Sequence, residues 1–252
     1  MVHASADRAL TFEGWPRANG VLRDGRLSAL PGDSLDGFVV VGCDPALGLA
    51  AALLPSDGPH RVIAISGSTT TALDALAGGR AHAALVHGPV ETLPEAPDGG
   101  LRLHVARWRV GVANRGRRSR SVAELCHRRA RVVQRDAGAS SQKAFLAAVD
   151  AEGGRRPSGP IASGHLEVAR LVVHGAAAGV TMEPAAIHSG LAFSALEEHV
   201  VEVWIGPGWH EHPGATALGE VLRSAAFTSR LALVGGYELA GCGSNITRKD
   251  GM

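Results

Sequence analysis

The chain has 252 residues, 45% of them apolar and 19% charged, a balance typical of a globular protein with one large or two modest domains. The formal net charge at pH 7 is +1, which provides no general attraction to nucleic acid or to a membrane surface. Aromatic residues are only 4%, too few for an aromatic platform that binds single-stranded nucleic acid. The N-terminus lacks the apolar segment of a signal peptide and no apolar run could span a bilayer, so we expect a cytoplasmic protein without a membrane partner.

The cysteines and histidines show no recognisable metal-site spacing. The sequence contains three cysteines, Cys43, Cys126 and Cys242. Their number and spacing predict free thiols rather than disulfides or metal ligands, and Cys43 is interpreted as a small core residue. The His-x-His at 210–212 has no evident third ligand and is interpreted as a surface loop. We therefore expect no metal and no cofactor, and the sequence leaves the oligomeric state open.

The first half of the chain alternates strand and helix patterns. Residues 1–36 are rich in Gly, Pro and Asp and are predicted to form an irregular N-terminal arm. Continuous apolar runs then predict buried strands, and helix-start signals such as Asp44 followed by Pro45 separate them. The predicted order is strand 38–42, helix 45–54, strand 61–65, helix 71–77 and strand 83–87. This alternation predicts a parallel sheet covered by helices on both faces.

A second α/β series follows an extended segment at 101–113. Its predicted order is strand 131–133, loop 134–141, a helix through Phe145, helix 165–174, strand 177–181, strand 201–205 and a C-terminal helix through Leu218 and Phe227. We therefore predict an α/β fold with two lobes and a ligand cleft between them. Residues 37–107 and 206–252 are assigned to lobe 1 and residues 108–205 to lobe 2, with a hinge at 105–113 and 201–207.

A run of hydroxyl side chains at 66–71 directly precedes the second predicted helix. Unpaired N–H groups at a helix N-terminus attract anions, and hydroxyls add donors without adding charge. Thr70 or Thr71 could instead simply cap the helix, and that interpretation stays open. The candidate ligand contacts of this type are Ser66, Ser68, Thr69 and Thr70, together with Ser140 and Ser141 at a later helix start.

Charged and titratable candidates follow strand ends or begin helices. Arg135 could bind a carboxylate or phosphate bidentately, or pair with Asp136 or Glu183 instead. His165 begins a helix and could donate to an anion or titrate near neutral pH. Glu183 could bind an amine or form a structural ion pair. His87 ends a strand that faces the predicted cleft. If the protein is an enzyme, the candidate acid–base groups are Glu183, His87 and His165.

Several segments resemble, in the same order, the PBP-like substrate-binding domain that is found with helix-turn-helix regulators and molybdopterin-biosynthesis proteins of bacteria. They are 39–47, 67–73, 82–84, 133–141, 163–169, 179–186 and 227–237, and the similarity covers roughly residues 37–243. The resemblance implies a type II periplasmic-binding-protein fold in which hydroxyls and backbone N–H groups hold an oxyanion. The chain differs at 137–142, where many relatives have Gly-Ser-Gly-Thr-Arg, and at 164–165, where many have Thr-His.

These features favour a cytoplasmic small-molecule-binding protein that closes its two lobes on a small anionic ligand, which is an oxyanion, a carboxylate or a phosphate compound. Two alternatives stay open on the sequence alone. One is a biosynthetic enzyme of the lyase or dehydratase type, with the histidines or the glutamate of the cleft as acid and base. The other is a ligand-sensing regulatory module. A basic stretch at 115–131 is predicted to be a solvated surface, and we expect no nucleic-acid partner for this chain alone.

Overall fold

The computed structural model describes residues 20–23, 26–29, 37–127 and 130–246. The N-terminal part contains an antiparallel hairpin of β1 (Gly20–Arg23) and β2 (Arg26–Ala29). The prediction of an irregular segment over 1–36 is therefore wrong for these two strands. The Asp-Gly pair that separates them in the sequence is a strong hairpin signal, but the high Gly, Pro and Asp content of residues 1–36 favoured an irregular segment. The rest of the predicted arm lies outside the described residues.

The first lobe has the predicted alternation of strands and helices. Its elements are β3 (Phe38–Gly42), α1 (Pro45–Ala52), β4 (Val62–Ser66), α2 (Thr69–Ala77) and β5 (Ala83–Gly88). The strands are parallel in the order β4-β3-β5. Asp44 caps α1 by accepting from the Ala46 N–H at 2.8 Å, and Ser68 caps α2, which therefore begins two residues before the predicted start.

The second lobe repeats this construction. Its elements are α3 (Val122–His127), β7 (Val132–Arg135), α4 (Ser140–Ala151), β8 (Ile161–Ala162), α5 (His165–Val173), β9 (Ala178–Met182) and α6 (Glu183–His188). The strands β9, β7 and β8 are parallel. The six-residue helix α6 was not predicted, because it follows β9 without a loop and is too short to show a periodic pattern.

Two long antiparallel strands, β6 (Leu101–Asn114) and β10 (Ala192–Ile205), join the lobes. One part of β10 pairs with β5 and one part of β6 pairs with β9, so a single eight-stranded sheet runs in the order β4-β3-β5-β10-β6-β9-β7-β8. The fold is therefore the predicted two-lobed type II architecture. The sequence predicted only residues 201–205 of β10, because Glu197, Glu198 and His199 interrupt the apolar pattern of its earlier part.

The C-terminal segment returns to the first lobe as two helices rather than one. They are α7 (Pro213–Arg223) and α8 (Ala225–Val234). Ser224 between them is extended, with φ −74° and ψ 145°, and its hydroxyl accepts from the Phe227 N–H at 3.2 Å. It therefore caps α8, which is the local reason for the break.

Apolar packing stabilises both lobes, and the largest buried cluster also includes second-lobe residues such as Met182 and Ala185. In the first lobe, Phe38 and Leu85 of the sheet belong to one buried cluster with Leu218 and Phe227 of the C-terminal helices. In the second lobe, Phe145 of α4 is fully buried in a cluster with Val132, Val149 and Val180. None of the helices in the described part of the chain is both long and apolar enough to cross a membrane. The carboxyl ends of β3, β5 and β7 meet between these two cores, where the candidate site lies.

Candidate functional site

Both lobes contribute buried polar side chains to one group at their interface. Cys43 follows β3 and His87 lies in β5, whereas Arg135 ends β7 and His165 begins α5. We call these four residues the central cluster. Each is at most 8% exposed. The rings of His87 and His165 lie 5.6 Å apart between centroids, and Trp108 of β6 packs against both of them.

The thiol of Cys43 begins a hydrogen-bonded chain that ends at Glu197. The Cys43 Sγ lies 3.0 Å from the His87 Nε2, and the His87 Nδ1 lies 2.9 Å from the Nδ1 of His199. The Nε2 of His199 lies 2.7 Å from a carboxylate oxygen of Glu197, which is partly exposed. A carboxylate only accepts, so the proton of His199 is on Nε2, that of His87 is on Nδ1, and the Cys43 thiol donates to His87.

Burial determines the charge of these groups. It lowers the pKa of His199 and lowers those of His87 and His165 well below the usual value, and the nearby Arg135 charge lowers the last two further. Burial also raises the pKa of the Cys43 thiol to about 12, although Arg135 acts in the opposite direction. At neutral pH the cluster therefore holds a neutral thiol and neutral imidazoles, and its positive charge belongs to Arg135.

Arg135 is only 2% exposed and has few partners. Its Nη1 donates to the Ala162 carbonyl at 2.9 Å, but its Nε and Nη2 have no hydrogen-bond partner among the described residues. None of the ion pairs found in the described ranges includes it, so the alternative pairing with Asp136 or Glu183 is not seen. A buried guanidinium without a counter-charge is costly and is able to bind an anion through two nitrogen atoms.

Two further polar side-chain atoms are buried without a partner in the described part of the chain: the Ser141 hydroxyl and the Nε2 of His165, a residue on which the charge of Arg135 acts. Ser141 belongs to the first turn of α4, and its neighbour Gln142 accepts from the Arg135 backbone N–H at 2.8 Å. The structure therefore places three of the predicted contacts, Arg135, Ser141 and His165, where they retain unused hydrogen-bonding capacity.

The hydroxyls of the 66–71 run are mostly bound within the protein. Ser68 caps α2 and contacts Thr71, and Thr69 exchanges hydrogen bonds of 3.2 Å with the backbone N–H and carbonyl of His87. Thr70 donates across the lobes to the Gly138 carbonyl at 3.0 Å, whereas Ser66 is exposed at the end of β4. This run therefore caps a helix and holds the lobes together.

Ser140 and Glu183 have structural partners as well. The Ser140 hydroxyl donates to the His87 carbonyl at 3.0 Å, which is a second hydrogen bond between the lobes. The carboxylate of Glu183 accepts from both Nε and Nη2 of Arg109, and this pair lies outside the central cluster. Of the three candidate acid–base groups, His87 and His165 thus belong to the central cluster and Glu183 does not.

Sequence reasoning missed several residues of this site. Cys43 was interpreted as core packing, and the structure confirms its burial but adds the contact with His87. His199 lay in a segment that was not predicted to be a strand. Asp44 was recognised only as a helix cap, yet it also accepts from the Trp108 indole at 2.7 Å and from the Tyr237 hydroxyl at 2.9 Å. The position of Cys43-Asp44 at a strand end was the one available signal.

Solved structures with the same fold include transport receptors and regulators. A candidate phosphate ABC transporter substrate-binding protein with bound phosphate from Clostridium perfringens has a TM-score of 0.61 at 11% identity, over 81% of this chain and 99% of that one. The tungstate ABC transporter structure from Geobacter sulfurreducens has a TM-score of 0.53 at 14% identity, over 79% and 99%. A reduced form of OxyR from N. meningitidis has a TM-score of 0.53 at 14% identity, over 84% and 100%.

These likenesses are structural, and their low identities establish the fold alone. No curated protein sequence matches the chain. The model of the PBP superfamily domain matches residues 51–223, more than half of the chain. The protein therefore belongs to the PBP superfamily.

Proposed function

We propose that the protein binds a small anion between its lobes and that Arg135 is the principal charge partner of this ligand. The observation that carries the proposal is the burial of the guanidinium, at 2% exposure, with two nitrogen atoms that have no partner among the described residues. Folded proteins pair nearly all buried charges, so a group left in this state is typical of a binding site rather than of a core.

The surroundings of Arg135 support an anion as the ligand of this guanidinium. The neutral imidazoles of His87 and His165 add no negative charge, and no carboxylate forms an ion pair with Arg135 in the described ranges. The Ser141 hydroxyl can donate from the N-terminal turn of α4, where the helix dipole favours negative charge. The structurally similar protein from Clostridium perfringens has bound phosphate, and the one from Geobacter sulfurreducens is a tungstate ABC transporter.

Ligand exchange at so enclosed a site requires that the lobes separate. The hydrogen bonds from Thr70 to Gly138 and from Ser140 to His87 cross between the lobes. Each is a neutral hydrogen bond, worth about 1 kcal/mol, so they favour the closed arrangement without preventing its opening. We infer that the ligand binds to an open state and that lobe closure then buries it against Arg135.

The test is a thermal-unfolding screen with phosphate, sulfate, molybdate, tungstate and small carboxylates at constant ionic strength, with chloride as the reference. At least one anion should raise Tm in a concentration-dependent way, because a ligand that binds only the native state stabilises it. Arg135→Gln should remove that shift. Arg156→Gln, which changes an exposed arginine, should leave it unchanged. An equal shift in Arg135→Gln, or no shift with any anion in the native protein, would contradict the proposal.

A further inference from the structure

We propose that Cys43, His87 and His165 form a binding site for a soft monovalent metal ion, Cu(I). This inference goes beyond the anion site: it shares His165 with that site but uses none of the nitrogen atoms of Arg135. The thiol sulfur and one ring nitrogen of each histidine lie within 4.8 Å of one another, and all three residues are buried. The positions 43, 87 and 165 are far apart in the sequence, so no ligand spacing could reveal them.

The hydrogen bonds of His87 leave its Nε2 available as a ligand. Its Nδ1 carries the proton, because the chain through His199 to the Glu197 carboxylate fixes the direction of each hydrogen bond. The Nε2 lone pair therefore points at the Cys43 sulfur, 3.0 Å away. A histidine that ligates a metal usually donates its other N–H to a fixed acceptor, and His199 supplies that acceptor here.

Thr181 fixes His165 in the same tautomer. The Thr181 hydroxyl donates to the His165 carbonyl at 3.0 Å, so its oxygen can only accept from the ring, whose Nδ1 lies 3.4 Å away. The Nε2 of His165 therefore has a free lone pair. This atom is buried and has no partner among the described residues. Both histidines thus present an unprotonated Nε2 beside the same thiol.

The charge of the cluster selects a monovalent ion. When Cu(I) binds, the S–H bond of Cys43 breaks, a Cu–S bond forms and the proton leaves to solvent, with no change in oxidation state. One positive charge replaces another, so the net charge of the buried site does not change. Zn²⁺ would add a further positive charge beside the unpaired guanidinium, which is costly in a buried site. Thiolate and imidazole ligands also suit Cu(I).

The experiment is an anaerobic titration of the full chain with Cu(I) against a chromophoric Cu(I) chelator, in buffer without added oxyanions. We expect one Cu(I) per chain, and an X-ray absorption spectrum with one sulfur and two nitrogen ligands. Cys43→Ser should weaken binding by more than about 100-fold, and Thr181→Val by about 10-fold through loss of the tautomer, as for other outer-shell partners. Cys126→Ser and Cys242→Ser are the matched controls and should bind as the native protein does.

Three results would overturn the proposal: no binding by the native protein, equal affinity in Cys43→Ser, or stoichiometric binding of Zn²⁺ with none of Cu(I). The circular dichroism spectrum and Tm of each variant establish that it is folded. Because Arg135→Gln removes no metal ligand, it should keep Cu(I) binding while it loses anion binding. The two proposals can therefore fail independently of each other.

Discussion

Arg102 and Arg135 place their charges in opposite environments. Arg102 donates two hydrogen bonds of 2.8 Å to the carboxylate of Glu202, a residue of β10 that is 3% exposed and that also accepts from the Trp204 indole. Arg135 is more deeply buried than Arg102. It lies beside the Cys43 thiol and donates to the Ala162 carbonyl, but its Nε and Nη2 have no hydrogen-bond partner in the described ranges. The protein itself thus supplies the counter-charge of Arg102, which is a structural arginine. Arg135 instead retains two nitrogen atoms that could donate to a bound ligand.

The largest expected effect comes from breaking the complete pair. Arg102→Ala leaves the buried carboxylate of Glu202 without its counter-charge, and we expect the free energy of unfolding to fall by about 3 kcal/mol. Equilibrium unfolding in urea measures the change. Arg156→Ala is the control, because that arginine pairs with Asp150 at the surface and should change stability far less. A small effect of Arg102→Ala would remove the contrast.

Removing the charge of Arg135 should not destabilise the protein. Arg135→Met removes a buried charge that has no ionic partner and keeps much of the side-chain volume. We expect the free energy of unfolding without added anion to stay within about 1 kcal/mol of the native value or to rise. Urea unfolding in chloride buffer tests this. A loss as large as that of Arg102→Ala would show that a protein group already balances the charge of Arg135.

Acid should destabilise the region of buried histidines around Arg135. The pKa values of His87, His165 and His199 are lowered by burial, so these groups bind protons more readily in the unfolded chain. Their neutral forms favour folding above the ordinary histidine pKa, and this stability is lost as pH falls below about 6.5, at up to about 1.4 kcal/mol per pH unit for each group. Unfolding measured between pH 7.5 and pH 5.5 should show the loss.

His165→Gln should reduce the change in the free energy of unfolding with pH by the contribution of one group that binds a proton. His188→Gln is the control, because this residue lies at the exposed end of α6 and should leave the slope unchanged. A slope that is the same in His165→Gln and in the native protein would contradict the buried, neutral state of His165.

The smallest expected effect concerns the contacts between the lobes. Ser140→Ala removes the hydrogen bond to the His87 carbonyl and should lower the free energy of unfolding by about 1 kcal/mol. The exposed Thr70→Val should cost less. Both should increase the dissociation rate of a bound anion more than they change its association rate, and stopped-flow measurement of the two rates tests this. No change in dissociation would contradict a role of these contacts in closure.

The fold was predictable where its signals are local. The apolar runs of β3, β4 and β5, and caps such as Asp44, depend on residues that are adjacent in the chain. The early part of β10 was missed because its polar residues are accommodated by pairing with β6, a partner far away in the sequence. The break at Ser224 was missed because apolar periodicity continues on both sides of it.

The site was predictable only in part for a related reason. Strand ends and helix starts indicated Arg135, Ser141 and His165, which are buried between the lobes. The same signals indicated Thr69 and Glu183, whose side chains find partners within the protein. A polar group is free to bind a ligand only if no other residue of the chain pairs with it, and the pairing residue can be distant in the sequence. Thr69 lies 18 positions from its partner His87, and His199 lies 112 positions from it. A short stretch of sequence gives no signal for such contacts.

The most direct test of the central claim is a crystal structure of the protein soaked in tungstate, whose metal can be located by anomalous scattering. We predict an anomalous peak between the lobes, with a tungstate oxygen within hydrogen-bond distance of the Nε or Nη2 of Arg135, and no such peak in crystals of Arg135→Gln. A protein carboxylate bound to Arg135, or an anion site that persists without Arg135, would contradict the account.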